Sequence, residues 1–134
     1  MQFKKETLKK EWNNAPLTLK VVATEIDLYM QSKYKKEMVV TRILGRLSGD
    51  SGIHAMGLAL DARVQYWDTP TGKWEKLFTD KEAREIESHF NKKYPRTDGY
   101  NVILYHNDGV STAPHFHIQA APLTIAMRTE TYKE

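Results

Sequence analysis

The sequence predicts an α+β fold in which helices pack on a small antiparallel sheet. Helical and strand-like segments follow one another in the order helix, strands, helix, strands. The last two strand-like segments lie close enough to pair as a hairpin, and a length of 134 residues fits a single domain over residues 1–134. This order favours an α+β sandwich over a doubly wound parallel sheet.

The first half of the chain begins with a predicted helix over residues 16–34. Leu19, Val22 and Ile26 recur at helical spacing, and a proline at position 16 suits a first helical turn. Residues 38–44 read MVVTRIL, and this richness in β-branched side chains predicts a strand.

A glycine-rich loop, GRLSGDSG, separates this strand from a second one predicted over residues 58–67. Side chains alternate between the two faces of a strand, so Asp61 should share a face with Ala59 and Arg63, while its neighbours Leu60 and Ala62 face the core. TPTG at 69–72 predicts a turn, after which the chain should return as a short strand.

The second half contains a helix and a hairpin. Thr79 and Glu82 form a capping-box pattern, which predicts a helix from about residue 80 to 93. Pro95 and Gly99 should end it. Residues 102–106 and 115–121 read as strands joined by an eight-residue loop, NDGVSTAP, so we expect them to pair as an antiparallel hairpin.

Composition limits the chemistry. The chain has no cysteine, which excludes a disulfide framework, a zinc finger, an iron–sulfur cluster and thiol catalysis. A metal ion would be held by histidines and carboxylates, ligands that suit zinc but also iron, nickel or manganese. The net charge of +3 fits a solvated lysine-rich surface, or weak attraction to a polyanion such as teichoic acid. No nucleic-acid motif is present, so nucleic acid is not an expected partner.

The first twelve residues, MQFKKETLKKEW, carry charge and no apolar run, which is not the pattern of a secretory signal peptide. No stretch approaches the roughly 20 apolar residues that span a membrane. We therefore expect synthesis in the cytoplasm and no membrane insertion.

Two histidines near the end of the chain are candidate functional residues. His115 and His117 are two residues apart on a predicted strand, so they point to the same face, while Phe116 and Ile118 point to the other. Two histidines at this spacing are a weak signal of a site when taken alone.

A second pair lies in the segment HAMGLALD, which contains His54 and Asp61. A half-buried carboxylate on the strand needs a partner. That partner could be Arg42 or Arg63, or it could be a metal ion. Two histidines and one carboxylate supply three ligands and leave a fourth position open, which is the pattern of catalytic zinc.

The joint pattern, H-x-x-G-x-A-x-D followed downstream by H-x-H, resembles that of the D-Ala-D-Ala metallopeptidases. That group shares its fold and zinc site with lysostaphin-type enzymes and with the N-terminal domain of hedgehog signalling proteins. The resemblance covers roughly residues 38–121. Its motif positions are His54, Gly57, Ala59, Asp61, His115 and His117.

The resemblance implies a zinc ion held by His54, Asp61 and His117, with His115 contacting the water or the oxyanion. It implies a peptidase acting on the stem peptides or cross-links of bacterial peptidoglycan. The HFHIQ segment also resembles short phage peptidases, so an endolysin that reaches the wall through a phage-made hole would suit the N-terminus.

Substrate-binding candidates lie before the first motif. An arginine there often orients the substrate in the family, and Arg42 and Arg46 are the candidates. Many members have a serine two residues before the first histidine, where this chain has Gly52, with Ser51 one residue further back.

The chain departs from the family at the usual carboxylate base. Pro114 stands three residues before His117, where many members have Asp or Glu. Proton transfer then falls to His115, His106 or Asp108. His106 could instead be a surface histidine at a strand end, and Asp108 could be ordinary turn chemistry in Asn-Asp-Gly.

Several alternatives remain open from the sequence. The domain could bind zinc without catalysis, as hedgehog does, and serve as a phage structural or binding protein. An iron oxygenase of the two-histidine, one-carboxylate type usually brings its first histidine and carboxylate closer together in sequence. A cupin would need a further histidine after His117. The sequence does not distinguish a carboxypeptidase from an endopeptidase, nor does it give the oligomeric state.

Overall fold

The computed structural model describes residues 1–43, 59–96, 101–107 and 113–120. Within these ranges the chain forms three α-helices and seven strands. In chain order they are β1 (Gln2–Phe3), α1 (Glu6–Asn13), α2 (Leu17–Tyr29), β2 (Val39–Arg42), β3 (Ala59–Arg63), β4 (Gln65–Asp68), β5 (Lys73–Lys76), α3 (Asp80–Lys93), β6 (Ile103–His106) and β7 (His115–Gln119).

The main sheet has five strands in the order β1-β2-β3-β7-β6. All neighbouring pairs are antiparallel except β1 and β2, which run parallel. The mixed α+β class is therefore confirmed, and so is the antiparallel pairing of β6 with β7. The short elements β1 and α1 were not predicted.

The predicted helix over residues 16–34 is confirmed as α2 followed by a π-helical turn, Met30–Tyr34. One face of this segment is buried, as the apolar spacing requires. Lys35 ends it with a φ of 59°, in the left-handed region.

All three helices contribute to one hydrophobic core on a single face of the sheet. The alternation of side chains along each strand supplies the sheet's share of this core. Its members come from β2, β3, β6 and β7: Val40, Leu60, Ala62, Ile103, Tyr105, Phe116 and Ile118. The opposite face is left for the polar side chains of the same strands.

The prediction of a single strand over residues 58–67 is wrong, because this segment forms two strands. The chain divides into β3, in the main sheet, and β4, which pairs with β5 in a separate two-stranded ribbon. The division falls at Val64, whose carbonyl accepts hydrogen bonds from the backbone amides of Leu77 and Phe78. Val64 is also buried in the core, so the chain is anchored there and leaves the main sheet. The turn at 69–72 and the short returning strand are as predicted.

The helix α3 begins and ends where the sequence predicts. The hydroxyl of Thr79 accepts a hydrogen bond from the Glu82 amide, and the Glu82 carboxylate accepts one from the Thr79 amide. These reciprocal bonds satisfy two donors that the helix itself cannot use.

Helix α3 also covers the exposed edge of β6, the last strand of the sheet. The Asn91 side chain donates to the Ile103 carbonyl at 3.0 Å and accepts from the Ile103 amide at 3.2 Å. Glu87 accepts from the Tyr105 amide at 2.7 Å, and Arg84 donates to the Tyr105 carbonyl at 3.2 Å. The backbone groups of β6 that no strand pairs with are thus bonded to side chains of α3.

In the part of the chain that the structure describes, no helix is long and apolar enough to cross a membrane.

Candidate metal centre

The pairing of β3 with β7 brings Asp61 and His117 together. The two residues are directly opposite in the register, and opposite residues of an antiparallel pair project on the same face. One step along the sheet, His115 lies opposite Arg63 on β3 and opposite His106 on β6. The polar face of the sheet therefore carries the three histidines and Asp61 side by side.

An irregularity in β2 adds an arginine to this group. Val40 pairs with Ala62, so a regular ladder would place Arg42 opposite Leu60, on the core side. Instead the register shifts by one residue, and Arg42 lies opposite Asp61. Such a bulge redirects a side chain to the other face of the strand.

Asp61 is the most buried charged residue of this group, with 9% of its surface exposed. Its Oδ1 lies 3.3 Å from His117 Nδ1, and its Oδ2 lies 3.4 Å from Arg42 Nε. The Thr41 hydroxyl donates to the Asp61 carbonyl at 3.3 Å. A buried carboxylate needs charged or hydrogen-bonding partners. Of the two arginines that the sequence offered, Arg42 forms the ion pair.

The ring nitrogen of His115 that faces the Asp61 carboxylate can be identified from a backbone contact. Its Nδ1 lies 2.9 Å from the Ala113 carbonyl, which can only accept a hydrogen bond, so Nδ1 carries a hydrogen. Nε2 is then the nitrogen that points toward Asp61, at 3.9 Å from Oδ1. In the neutral ring this nitrogen has a lone pair and can accept a proton.

His106 lies at the end of β6, exposed, beside the other two histidines. Its ring centroid is 5.1 Å from that of His115 and 6.0 Å from that of His117.

The structure thus brings together five of the candidate residues: Arg42, Asp61, His106, His115 and His117. The other four, His54, Arg46, Ser51 and Asp108, lie outside the described residues, as does Gly57. Among the described residues no group of three or more histidines and carboxylates is arranged to hold a metal ion. The predicted ligand set needs His54 as its third member.

The donor chemistry of the described pair nevertheless fits zinc. A carboxylate oxygen and an imidazole nitrogen, both largely shielded from water, point toward each other across two paired strands. Oxygen and nitrogen ligands of this kind bind zinc at about 2.0–2.2 Å.

Sequence reasoning missed Gln119 and Thr41. Gln119 is buried, and its Oε1 lies 3.1 Å from His117 Nε2. The alternation of β7 could have identified it, because residue 119 shares a face with residues 115 and 117. Thr41 could not have been identified, because its contact depends on the bulge.

The chain matches no family model, no curated protein and no solved structure.

Proposed function

We propose that this chain is a zinc-dependent peptidase that hydrolyses peptide bonds in bacterial peptidoglycan, with His54, Asp61 and His117 as the metal ligands. The observation that carries the proposal is the placement of Asp61 opposite His117, with 3.3 Å between Oδ1 and Nδ1. These two residues come from separate sequence motifs 56 positions apart, and the sheet register unites them.

The presence of His115 beside this pair supports hydrolysis. A bound zinc ion would polarise the scissile carbonyl and make water more acidic. His115 Nε2 takes a proton from the attacking water while the water oxygen bonds to the carbonyl carbon. The same proton then passes to the amide nitrogen as the carbon–nitrogen bond breaks, so the ring is regenerated.

The remaining candidates assist this reaction. His106 and Asp108 are helpers in proton transfer, and His106 lies in ring contact with His115. Arg42 holds Asp61 by its ion pair, which orients the carboxylate. Arg46 and Ser51 remain candidates for contact with the peptide, which would be a stem peptide or a cross-link.

A wall substrate lies outside the cytoplasm. We propose that the protein reaches the bacterial cell wall and acts there.

One observation favours a second candidate, a zinc-binding module of the same kind without catalysis. Pro114, half-buried just before β7, occupies the position of the carboxylate base in related motifs and offers no ionisable group. Such a module would retain the ligands and use the surface for binding.

The test is to incubate zinc-loaded protein with purified peptidoglycan and to identify the released fragments by mass spectrometry. We expect soluble peptide-containing fragments, and no release from chelator-treated protein or from His117→Ala. Fully zinc-loaded protein that releases nothing from any wall preparation would support the non-catalytic module. Wild-type protein that binds no zinc would refute both candidates.

A further inference from the structure

Gln119 is a buried polar residue on the same face of β7 as His117. It lies opposite Ala59 in the register with β3, and 6% of its surface is exposed. Its backbone amide donates to the Val102 carbonyl at 2.8 Å, so the residue is fixed at its backbone as well as at its side chain.

The orientation of its side-chain amide follows from a backbone contact. Gln119 Nε2 donates to the Asn101 carbonyl at 2.8 Å. A carbonyl oxygen can only accept, so the amide nitrogen must be the atom that faces Asn101. Oε1 is therefore the atom that faces His117, at 3.1 Å from its Nε2.

This orientation places a hydrogen on Nε2 of His117. Oε1 can only accept, so Nε2 of His117 donates, and Nδ1 is the nitrogen that faces Asp61 Oδ1. We propose that Gln119 is a positioning residue that holds His117 with Nε2 protonated, so that Nδ1 is the metal-binding nitrogen. The metal-binding part of this inference rests on the proposed function; the placement of the hydrogen does not.

The same strand presents the other histidine in the opposite way. His115 donates from Nδ1 to the Ala113 carbonyl and directs Nε2 toward Asp61. Two histidines on one strand face thus offer different nitrogens to the same carboxylate.

Hydrogen-bond partners behind a metal-binding histidine set its tautomer and ring orientation, and their removal typically lowers metal affinity by about 10–100-fold. Gln119→Met removes the acceptor at nearly constant volume. We expect this variant to bind zinc about 10–100-fold more weakly than the wild type, measured by competition with a chelator of known affinity. Gln65→Met, in the β4–β5 ribbon, is the matched control and should bind as the wild type does.

Nitrogen-15 NMR of the histidine rings tests the placement of the hydrogen directly. Wild-type protein should show a hydrogen on His117 Nε2 with and without zinc, and a zinc-dependent shift at Nδ1. Zinc on Nε2, or an Nε2 without hydrogen in the metal-free protein, would overturn the inference while leaving a zinc site possible. Unchanged zinc affinity in a folded Gln119→Met protein would also overturn it. A wild type that binds no zinc but carries the Nε2 hydrogen would refute the proposed function and the assignment of Nδ1 as ligand.

Discussion

At the scale of single residues, Asp61 stands out as a buried carboxylate on the polar face of the sheet. Under the proposed function, we predict that Asp61→Ala abolishes tight zinc binding, because it removes a metal ligand. The affinity should fall by more than the roughly 10–100-fold that loss of a supporting partner causes. Equilibrium dialysis with metal analysis measures the stoichiometry.

Asp68→Ala, in the β4–β5 ribbon, is the control for the Asp61 variant, since it removes a carboxylate outside the site. Full zinc occupancy in the Asp61→Ala protein would show that the carboxylate is not a zinc ligand.

His115 offers a different test at the same scale. Its Nδ1 is bonded to the Ala113 carbonyl, so Nε2 is the nitrogen that this ring presents to the site, and the proposed function gives it the role of proton carrier. We predict that His115→Ala keeps its zinc and loses about 10²–10⁴-fold in turnover, the usual contribution of a general acid–base group. Release of wall fragments gives the rate, and metal analysis gives the occupancy.

His106→Ala is the companion variant and should lose less turnover than His115→Ala, because His106 would act only through its neighbour. Turnover at the wild-type level in the His115→Ala protein would assign the base to another group.

Much of the described site could be predicted from alternation alone. Asp61, His115 and His117 were placed on polar strand faces because their sequence neighbours are apolar. The partner of Asp61 could not be predicted, because simple alternation puts Arg42 on the face of Val40, and only a register shift reverses this. Gln119 was missed although alternation places it on the same face as His115 and His117, because a glutamine by itself does not indicate a functional role.

At the scale of elements, the contact between α3 and the edge of β6 is a stabilising feature that the sequence does not reveal. We predict that Asn91→Ala destabilises the fold by about 1–3 kcal/mol, because it leaves the Ile103 amide and carbonyl without these bonds. Urea unfolding measures the difference.

Lys92→Ala, on the exposed side of the same helix, is the control for Asn91→Ala and should change stability little. Equal stabilities for the two variants would mean that water replaces the Asn91 bonds at no cost.

The elements themselves were predictable where their local signals are strong. The capping box fixed the start of α3, and helical spacing identified α2. The break at Val64 was not predictable, because an apolar residue inside an alternating run looks like any other strand residue. Its effect comes from hydrogen bonds to residues 77 and 78, which are distant in sequence.

At the scale of the whole molecule, Glu85 on α3 ties this helix to the end of α2 and its π-helical turn. It accepts hydrogen bonds from Tyr29, Tyr34 and Lys33. Burial raises the pKa of Glu85, but these three bonds outweigh burial and bring the pKa to about 2. A carboxylate whose pKa is lowered on folding stabilises the fold above its unfolded pKa, and this contribution is lost as the pH falls toward the folded pKa.

We therefore predict that the stability advantage of the wild type over Glu85→Gln is full above about pH 4.5 and shrinks as the pH approaches 2. Urea unfolding at a series of pH values measures it. Glu75→Gln, on the exposed ribbon, is the control. The difference in stability between wild type and this variant should change much less over the same pH range. A constant difference between wild type and Glu85→Gln from pH 7 to pH 3 would contradict the prediction.

The fold class was predictable because it depends on element order, and the single-sided core follows from strand alternation. The parallel strand β1 was not predictable, because its two residues carry no periodic pattern. It is held by its neighbours: the Met1 ammonium group pairs with buried Asp27 at 3.0 Å and with Glu37 at 2.6 Å.

The bulge in β2 changes the spacing of the buried residues along that strand. Met38, Val40 and Ile43 are buried, so the interval between successive buried positions is two residues and then three. A regular strand keeps an interval of two throughout. Thr41 is the residue in excess, and it contributes only a half-buried side chain and one hydrogen bond to the neighbouring strand.

Tolerance of deletions should therefore differ sharply between adjacent positions of β2. Removing Thr41 restores strict alternation, keeps the arginine in register with Asp61, and keeps every buried side chain in the core. Removing Val40 moves a threonine into the core position instead. We expect the Thr41 deletion to stay folded and the Val40 deletion to unfold at a much lower temperature, as circular dichroism would record. The reverse order of stabilities would show that the extra residue is essential to the sheet.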